Sequence, residues 1–239
     1  MASISRLFVD APLGADLTVN LDRDQAHYLF GVMRRKPGDR VDLFNGRDGA
    51  WAATVIEAGK RAGVLRALEC VQPQRDPPDL WLIFAPIKKA RTDFIVEKAA
   101  EMGAARIIPV QTDHTNSERI RQDRLQAHAV EAAEQCGGTF VPPVEDLRRL
   151  SVLLDDWPSD RSLMFCDEAR VGETKGLPDL HGPWAILIGP EGGFSDKERT
   201  RLERMPEAHV VSLGPRILRA DTAAVAAMTL WQDRLGDWS

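Results

Sequence analysis

Hydrophobic and polar positions in the first part of the chain alternate over short stretches, a pattern typical of half-buried β-strands. It predicts strands over residues 6–9, 40–44, 51–57 and 64–71. Residues 24–34 differ, because their apolar side chains recur at helical spacing, at Ala26, Leu29, Phe30 and Met33. Asn45-Gly46 adds a strong turn signal after the strand over 40–44. Short strands, glycine-containing turns and one helix together predict a small barrel.

A proline-rich segment separates this part from the rest of the chain. Residues 72–78 read Gln-Pro-Gln-Arg-Asp-Pro-Pro, and a segment so rich in proline continues neither a helix nor a sheet. We therefore predict a first domain over 1–72, a linker over 73–79 and a second domain over 80–239.

Apolar strands alternate with helical patterns after the linker. Strands are expected over 80–85, 106–110, 163–166, 184–188 and 209–213, and helices over 91–102, 121–136 and 221–235. Ser195-Asp196-Lys197-Glu198 is a capping box that opens a further helix. This alternation predicts an α/β domain with a mostly parallel sheet and helices on both faces.

Two glycine-containing loops follow the last two of these strands, and each leads into a helix. The first loop spans 189–193, Gly-Pro-Glu-Gly-Gly, and the second spans 213–219, Leu-Gly-Pro-Arg-Ile-Leu-Arg. We expect the two strand ends to lie side by side and to form a backbone-lined pocket at the carboxyl edge of the sheet. An ordinary turn before a capped helix is the alternative for the first loop. The presence of a second matching loop favours a ligand site.

The residue types in these loops indicate what such a ligand would be. Ile217 and Leu218 are apolar residues in a loop, and they suit the faces of a flat purine ring. Simple core packing of the same two side chains is the alternative. Neither loop is a Walker motif or a dinucleotide-binding fingerprint, so the common phosphate-binding interpretations do not apply.

Composition sets limits on the function. The net charge of −5 and the hydrophobic fraction of 44% are ordinary for a globular protein. No apolar run is long enough for a membrane helix, and the N-terminus does not resemble a signal peptide, so we expect a cytoplasmic protein. The three cysteines and five histidines lack metal-ligand spacing, and no metal site is expected.

Positive charge is concentrated in two clusters. They are Arg34-Arg35-Lys36 and Lys88-Lys89-Ala90-Arg91. A nucleic-acid backbone responds to such local patches rather than to the net charge of the whole chain. An ordinary solvated surface is the alternative for each cluster taken singly.

Several segments together resemble the SPOUT superfamily of S-adenosylmethionine-dependent RNA methyltransferases. Within it, the chain is similar to the RsmE-like family of bacterial 16S ribosomal RNA uracil-N3 methyltransferases, over nearly its whole length. The segments that carry the resemblance are Arg6–Val9, His27 with Val32–Arg34, Lys88 through Glu101–Gly103, Glu131–Gln135, Gly189–Phe194 and Leu213–Ala223. The last two segments are the most specific.

The resemblance implies an architecture and a set of partners. A PUA-like RNA-binding β-barrel would precede a SPOUT methyltransferase domain whose chain forms a trefoil knot. The protein would be a homodimer that acts on the 16S rRNA of the small ribosomal subunit, with S-adenosyl-L-methionine as cofactor. The implied cofactor-binding residues are Ile188, Gly189, Pro190, Glu191, Gly192, Gly193, Leu213, Gly214, Ile217 and Leu218. The candidate RNA contacts are Arg6, His27, Arg34, Lys88 and Arg91.

Methylation at uracil N3 needs a proton acceptor and stabilisation of negative charge on the ring. Arg219 is the candidate for charge stabilisation, and Glu191 or Asp221 is the candidate proton acceptor. Two positions depart from the resemblance. Gly138 stands where the family usually has an arginine, so an arginine contact is missing or supplied elsewhere. Asp221 replaces the usual glutamate, which favours a helix-capping role over that of a base.

Two alternative functions stay open from the sequence. One is a SPOUT methyltransferase that acts on another RNA or ring position. The other is a non-catalytic RNA-binding ribosome assembly factor, although the intact loops over 189–193 and 213–219 argue against it.

Overall fold

The computed structural model describes residues 4–116, 119–167 and 176–238. The chain divides into two compact units, Met1–Asp76 with Ala133–Val141, and Pro77–Ala132 with Pro142–Ser239. The domain limits of 1–72, 73–79 and 80–239 stay predictions. Grouping of 133–141 with the first unit was not expected, because no sequence pattern marks a short segment that rejoins an earlier part of the chain.

The first unit is a five-stranded sheet with order β1-β3-β4-β5-β2. Its strands are β1 Ser5–Phe8, β2 Thr18–Leu21, β3 Arg40–Phe44, β4 Ala50–Ala58 and β5 Gly63–Gln72. β1 and β3 are parallel, and the other neighbours are antiparallel. The core contains Leu7, Val19, Leu29, Leu43 and Leu65. β2 was missed, although Val19 and Leu21 are buried and alternate with two exposed residues as in a half-buried strand.

The helical segment of the first unit is irregular. Helix α1 spans Arg23–Ala26 behind an Asp22–Gln25 capping box, and a π-helical turn follows over His27–Val32. The expected single helix over 24–34 is therefore wrong in geometry and in its end point. Arg34 follows with φ of 56°, a left-handed conformation that side-chain-bearing residues rarely adopt. A π-helical turn adds a residue per turn, which a 3.6-residue periodicity does not distinguish over so short a stretch.

The second unit is an α/β fold around a six-stranded sheet with order β11-β9-β10-β6-β7-β8. All its neighbouring strands are parallel, as expected. The strands are β6 Leu80–Phe84, β7 Arg106–Gln111, β8 Arg148–Arg149, β9 Ser162–Cys166, β10 Trp184–Ile188 and β11 Ala208–Val210. The helices are α2 Lys89–Glu101, α3 Gln122–Cys136, α4 Leu150–Asp155, α5 Asp196–Glu203 and α6 Ala220–Leu235. The last residues of α3, from Ala133 on, group with the first unit. The predicted trefoil knot stays a prediction.

Apolar side chains of the sheet explain where the helices pack. Phe165 and Leu187 belong to one buried cluster with residues of α4 and α5, whereas α6 contacts β10 and α2. Sequence analysis missed β8 and α4, since two exposed arginines carry no strand signal and α4 is a short helix of six residues. Among the described residues, no helix combines the length and apolar character that membrane crossing requires.

The starts of the last two helices test the capping predictions. Ser195 caps α5 in the expected capping box with Glu198. The prediction that Asp221 caps α6 is wrong, because Arg219 is the N-cap residue and the helix begins at Ala220. Asp221 lies in the first turn, where its Oδ1 accepts a hydrogen bond of 2.9 Å from the Thr222 N–H.

Candidate functional site

A cavity of about 280 Å³ lies at the carboxyl ends of three strands of the second unit, β9, β10 and β11. β9 lies between the other two, so the expectation that the strands before the two glycine-containing loops lie side by side is wrong. The two loops face each other across the end of β9. Strand order depends on which edge each new strand joins, and local patterning does not record that choice.

Most of the predicted cofactor residues line this cavity. They are Ile188, Gly189, Pro190, Glu191, Leu213, Gly214, Ile217 and Leu218. Gly192 and Gly193 do not. Gly192 is exposed next to His114, and Gly193 is buried with φ of 64° in the turn that closes on Pro190. Assignment of all ten to a cofactor stays a prediction.

Steric constraints explain why glycine occupies two positions of these loops. A Cβ at Gly189 would lie 2.7 Å from Cε2 of Phe194, whose ring is buried in the core. Gly214 has φ of 111°, which disfavours any side chain even though the space around it is open. The first glycine therefore allows the loop to pack over Phe194, and the second allows the chain to turn at the cavity wall.

The end of β9 was missed as part of the site. Cys166 and Asp167 both line the cavity, and the only sequence signal was a carboxylate directly after an apolar strand. Burial raises the pKa of the Cys166 thiol to about 12, which disfavours the reactive thiolate form. The Asp167 side chain is fully buried and accepts a hydrogen bond of 3.0 Å from Nε of Arg199 on α5.

Hydrogen bonds hold the loop over 189–194 from the side of β7. His114 Nδ1 donates to the Gly192 carbonyl oxygen at 2.8 Å. The Ser195 hydroxyl donates to Asp113, and the Asp113 N–H donates to Glu198 at 2.9 Å. The loop is thus connected to the turn after β7 and to the first turn of α5, which fixes one wall of the cavity.

Three charged side chains from separate elements meet beside the cavity, and one of them lines it. Arg91 of α2 forms a close ion pair with Glu191, and its Nε lies 3.6 Å from Oδ2 of Asp221. Glu191 lines the cavity, whereas Asp221 does not. The structure therefore brings both candidate proton acceptors to one guanidinium, which sequence analysis had assigned to RNA.

Arg219 is placed differently from Arg91. It lines the cavity, its side chain is exposed, and among the described residues its guanidinium has no hydrogen-bonding or ionic partner. Ile217, two residues earlier, also lines the cavity and is 74% exposed. This part of the second loop thus offers an apolar surface and a positive charge to a ligand.

The other candidate RNA contacts are dispersed. Lys88 is exposed directly before α2 in the second unit. In the first unit His27 and Arg34 are exposed near the two ends of the π-helical turn. Arg6 is half-buried: it donates to the Gly138 carbonyl oxygen at 2.7 Å and stacks over the ring of Phe44. An arginine thus reaches Gly138, although it comes from β1. Contact of these residues with RNA stays a prediction.

Comparison with known proteins gives two matching family models and a set of relatives. An RNA methyltransferase domain model matches residues 74–232, and an RNA methyltransferase PUA domain model matches residues 21–68. Relatives named Ribosomal RNA small subunit methyltransferase E occur in Rickettsia conorii, at 28% identity, and in Bacillus subtilis, at 27%. The alignments cover 94% and 89% of this chain and 93% and 88% of the respective relatives.

Two solved structures have the same fold. Ribosomal RNA small subunit methyltransferase E from Neisseria gonorrhoeae, bound to S-adenosyl methionine, superposes with a TM-score of 0.90 at 27% identity. A putative methyltransferase from Legionella pneumophila, in complex with the cofactor SAM, also gives 0.90, at 25% identity. Each match covers 99% of this chain and 100% of the solved chain.

Proposed function

The chain belongs to the RNA methyltransferase family, and from that premise we propose that it transfers the methyl group of S-adenosylmethionine to N3 of a uridine in 16S ribosomal RNA. The observation that carries this proposal is the cavity at the ends of β9, β10 and β11. That cavity occurs in a chain that aligns over 99% of its length with an rRNA methyltransferase bound to S-adenosyl methionine.

The cavity suits this cofactor chemically. Ile188, Leu213 and Leu218 offer apolar surface for the faces of an adenine ring, and the backbone at Gly189 and Gly214 offers hydrogen-bonding groups for its edge. Among the residues that the structure describes, no buried lysine or arginine cluster of the kind that selects a nucleoside triphosphate lines the cavity. Bound S-adenosylmethionine would supply an electrophilic methyl group. The protein residues would position the uracil ring, stabilise its charge and accept its proton.

The protein residues would act on the uracil ring. N3 is occupied in a base pair, so the target uridine has to be unpaired or flipped out. Arg219 stabilises the negative charge that develops on the ring as the N3 proton leaves, because its guanidinium lines the cavity without a protein partner among the described residues. Glu191 is favoured over Asp221 as the proton acceptor, because only Glu191 lines the cavity.

A homodimer and a cytoplasmic location are part of the same proposal. Ile217, at 74%, is the most exposed large apolar side chain among the described residues, and it lies at the cavity edge. A second copy or the RNA itself would cover it. The small ribosomal subunit as substrate implies the compartment in which bacterial ribosomes assemble.

Transfer of a labelled methyl group tests the function directly. We expect the protein to label the 16S RNA of 30S subunits that lack the modification, with the label mapping to N3 of a single uridine. Transfer to tRNA, or to another ring position, would show that the proposed RNA or the proposed methylated atom is wrong. Saturable cofactor binding without transfer to any RNA would identify a non-catalytic assembly factor instead.

A second test separates the roles of Arg91. Arg91→Ala is expected to lower kcat about fivefold, since a partly exposed ion pair contributes up to about 1 kcal/mol and Glu191 loses its partner. In a Glu191→Gln background the same change should have almost no further effect, because Asp221, the other carboxylate near Arg91, does not line the cavity. A loss of RNA affinity with unchanged kcat would restore Arg91 to the role of an RNA contact.

A further inference from the structure

A second cavity of the C-terminal unit, of about 220 Å³, lies between the first turn of α2 and the start of α3. Four cationic side chains line it, and we name it the basic pocket after them: Lys89, Arg119, Arg121 and Arg124. Apolar surface comes from Ile87, Ile120 and Leu125. None of these residues has a role in the proposed chemistry.

The charges of the basic pocket are unevenly paired. Arg124 forms a close ion pair with Asp93, whose other oxygen lies 3.7 Å from His128, and His128 also contacts Glu97. Arg121 pairs with Asp123, but both side chains are largely exposed, at 77% and 66%. Arg124 and Arg121 thus each have an aspartate partner, and the two pairs differ in how far water reaches them.

Because of these pairings, the cations differ in how readily they can bind an incoming anion. The Asp93 carboxylate fixes Arg124 against α2, so this guanidinium shapes the pocket. The exposed Arg121–Asp123 pair is weak in water, and an incoming dianionic or monoanionic group can replace the aspartate as the acceptor. Lys89 is exposed at the first position of α2 and can reach the same group.

The basic pocket adjoins the methyl-transfer site within one unit. Lys89 and Thr92 line the pocket, and Arg91 in the same helical turn contacts Glu191 in the cofactor cavity. Successive residues of a helix point about 100° apart, so this turn of α2 has the two sites on adjacent sides. A ligand in the basic pocket and a nucleotide entering the cofactor cavity would thus be near neighbours.

We propose that the basic pocket binds a backbone phosphate of the RNA strand that presents the target uridine. Guanidinium and ammonium groups give the charge and the hydrogen bonds that a phosphate accepts, and the partly exposed Ile87 and Ile120 offer apolar contact to the adjoining ribose. This inference rests on the proposed function for the identity of the polyanion. It places an RNA anchor in the methyltransferase unit, in addition to the candidate contacts of the first unit.

The test compares charge removal inside and outside the basic pocket. Lys89→Ala and Arg121→Ala are each expected to weaken binding of unmodified 30S subunits about threefold to tenfold. Each should also reduce the slope of log affinity against log salt by about 0.7 with a single-stranded oligouridylate. Arg204→Ala removes an exposed charge from the same unit outside both cavities, and it should leave both quantities unchanged. Affinity for S-adenosylhomocysteine should be unaltered in all three.

Different failures have different meanings. Lys89→Ala and Arg121→Ala variants that bind RNA as the Arg204→Ala variant does would overturn the phosphate site while leaving the methyl transfer of the wild type intact. Loss of dimerisation in those variants, seen by light scattering, would assign the pocket to the subunit interface and also overturn it. If the two variants show the reduced salt slope but the wild type transfers no methyl group to RNA, the phosphate site is supported and the proposed function is refuted.

Discussion

Replacing Arg219 by Ala is expected to lower kcat for methyl transfer about 10²- to 10³-fold, while the affinity for S-adenosylmethionine changes less than about threefold. The magnitude is that of losing one positioned group that stabilises transition-state charge. Arg219 lines the cavity at the start of α6, and no described residue neutralises it. Its charge is therefore available to the ring oxygens of the substrate rather than engaged in holding the fold.

Arg216 supplies the matched control for this prediction. It lines the same cavity from the other side of Ile217-Leu218 and is also exposed, so Arg216→Ala removes an equal charge from the same loop. We expect at most a modest loss of kcat there. Single-turnover rates with 30S subunits measure the chemical step, and calorimetry with the cofactor measures binding. Equal losses in both variants would mean that the loop needs positive charge in general and that Arg219 has no specific role.

The sequence predicted the two loops that form the walls of the cavity, but not the end of β9, which forms its floor. The two glycine-containing loops could be recognised because steric demands at positions such as Gly189 and Gly214 leave a local mark in the residue types. The end of β9 could not, since Cys166 and Asp167 join the site only because β9 lies between β10 and β11. Strand order is a property of long-range packing, and the same local patterns are compatible with several orders.

The partners of charged side chains could not be predicted from the sequence either. Arg91 belongs to a basic cluster in sequence, and clustering favoured a contact with RNA. In the fold it meets Glu191, a hundred residues later in the chain, and Asp221 of the last helix. Charge patterns along the sequence show how much charge is present, whereas its use depends on which carboxylates the tertiary structure brings within reach.

The largest expected effect on stability comes from the floor of the same cavity. Asp167→Ala is expected to lower the free energy of unfolding by about 1.5–3 kcal/mol, the contribution of hydrogen bonds to a charged group, since Arg199 keeps a second carboxylate, that of Asp196, at 3.6 Å. The Asp167 side chain is fully buried, and both its oxygens lie within 3.3 Å of Nε of Arg199, which is itself 26% exposed. Urea unfolding at a fixed protein concentration measures the change as a lower midpoint.

A second ion pair on the same helix shows why burial, and not distance, sets this magnitude. Arg201 of α5 contacts Asp155 at 2.7 Å, a shorter separation than the 3.0 Å between Arg199 and Asp167. Asp155 is 65% exposed, so water replaces the lost partner and Asp155→Ala should cost less than about 1 kcal/mol. Equal losses in the two variants would show that Arg199 relaxes to solvent when Asp167 is removed. In that case α5 is held to the sheet by its apolar contacts, such as that of Leu202, and the ion pair does not fix the cavity floor.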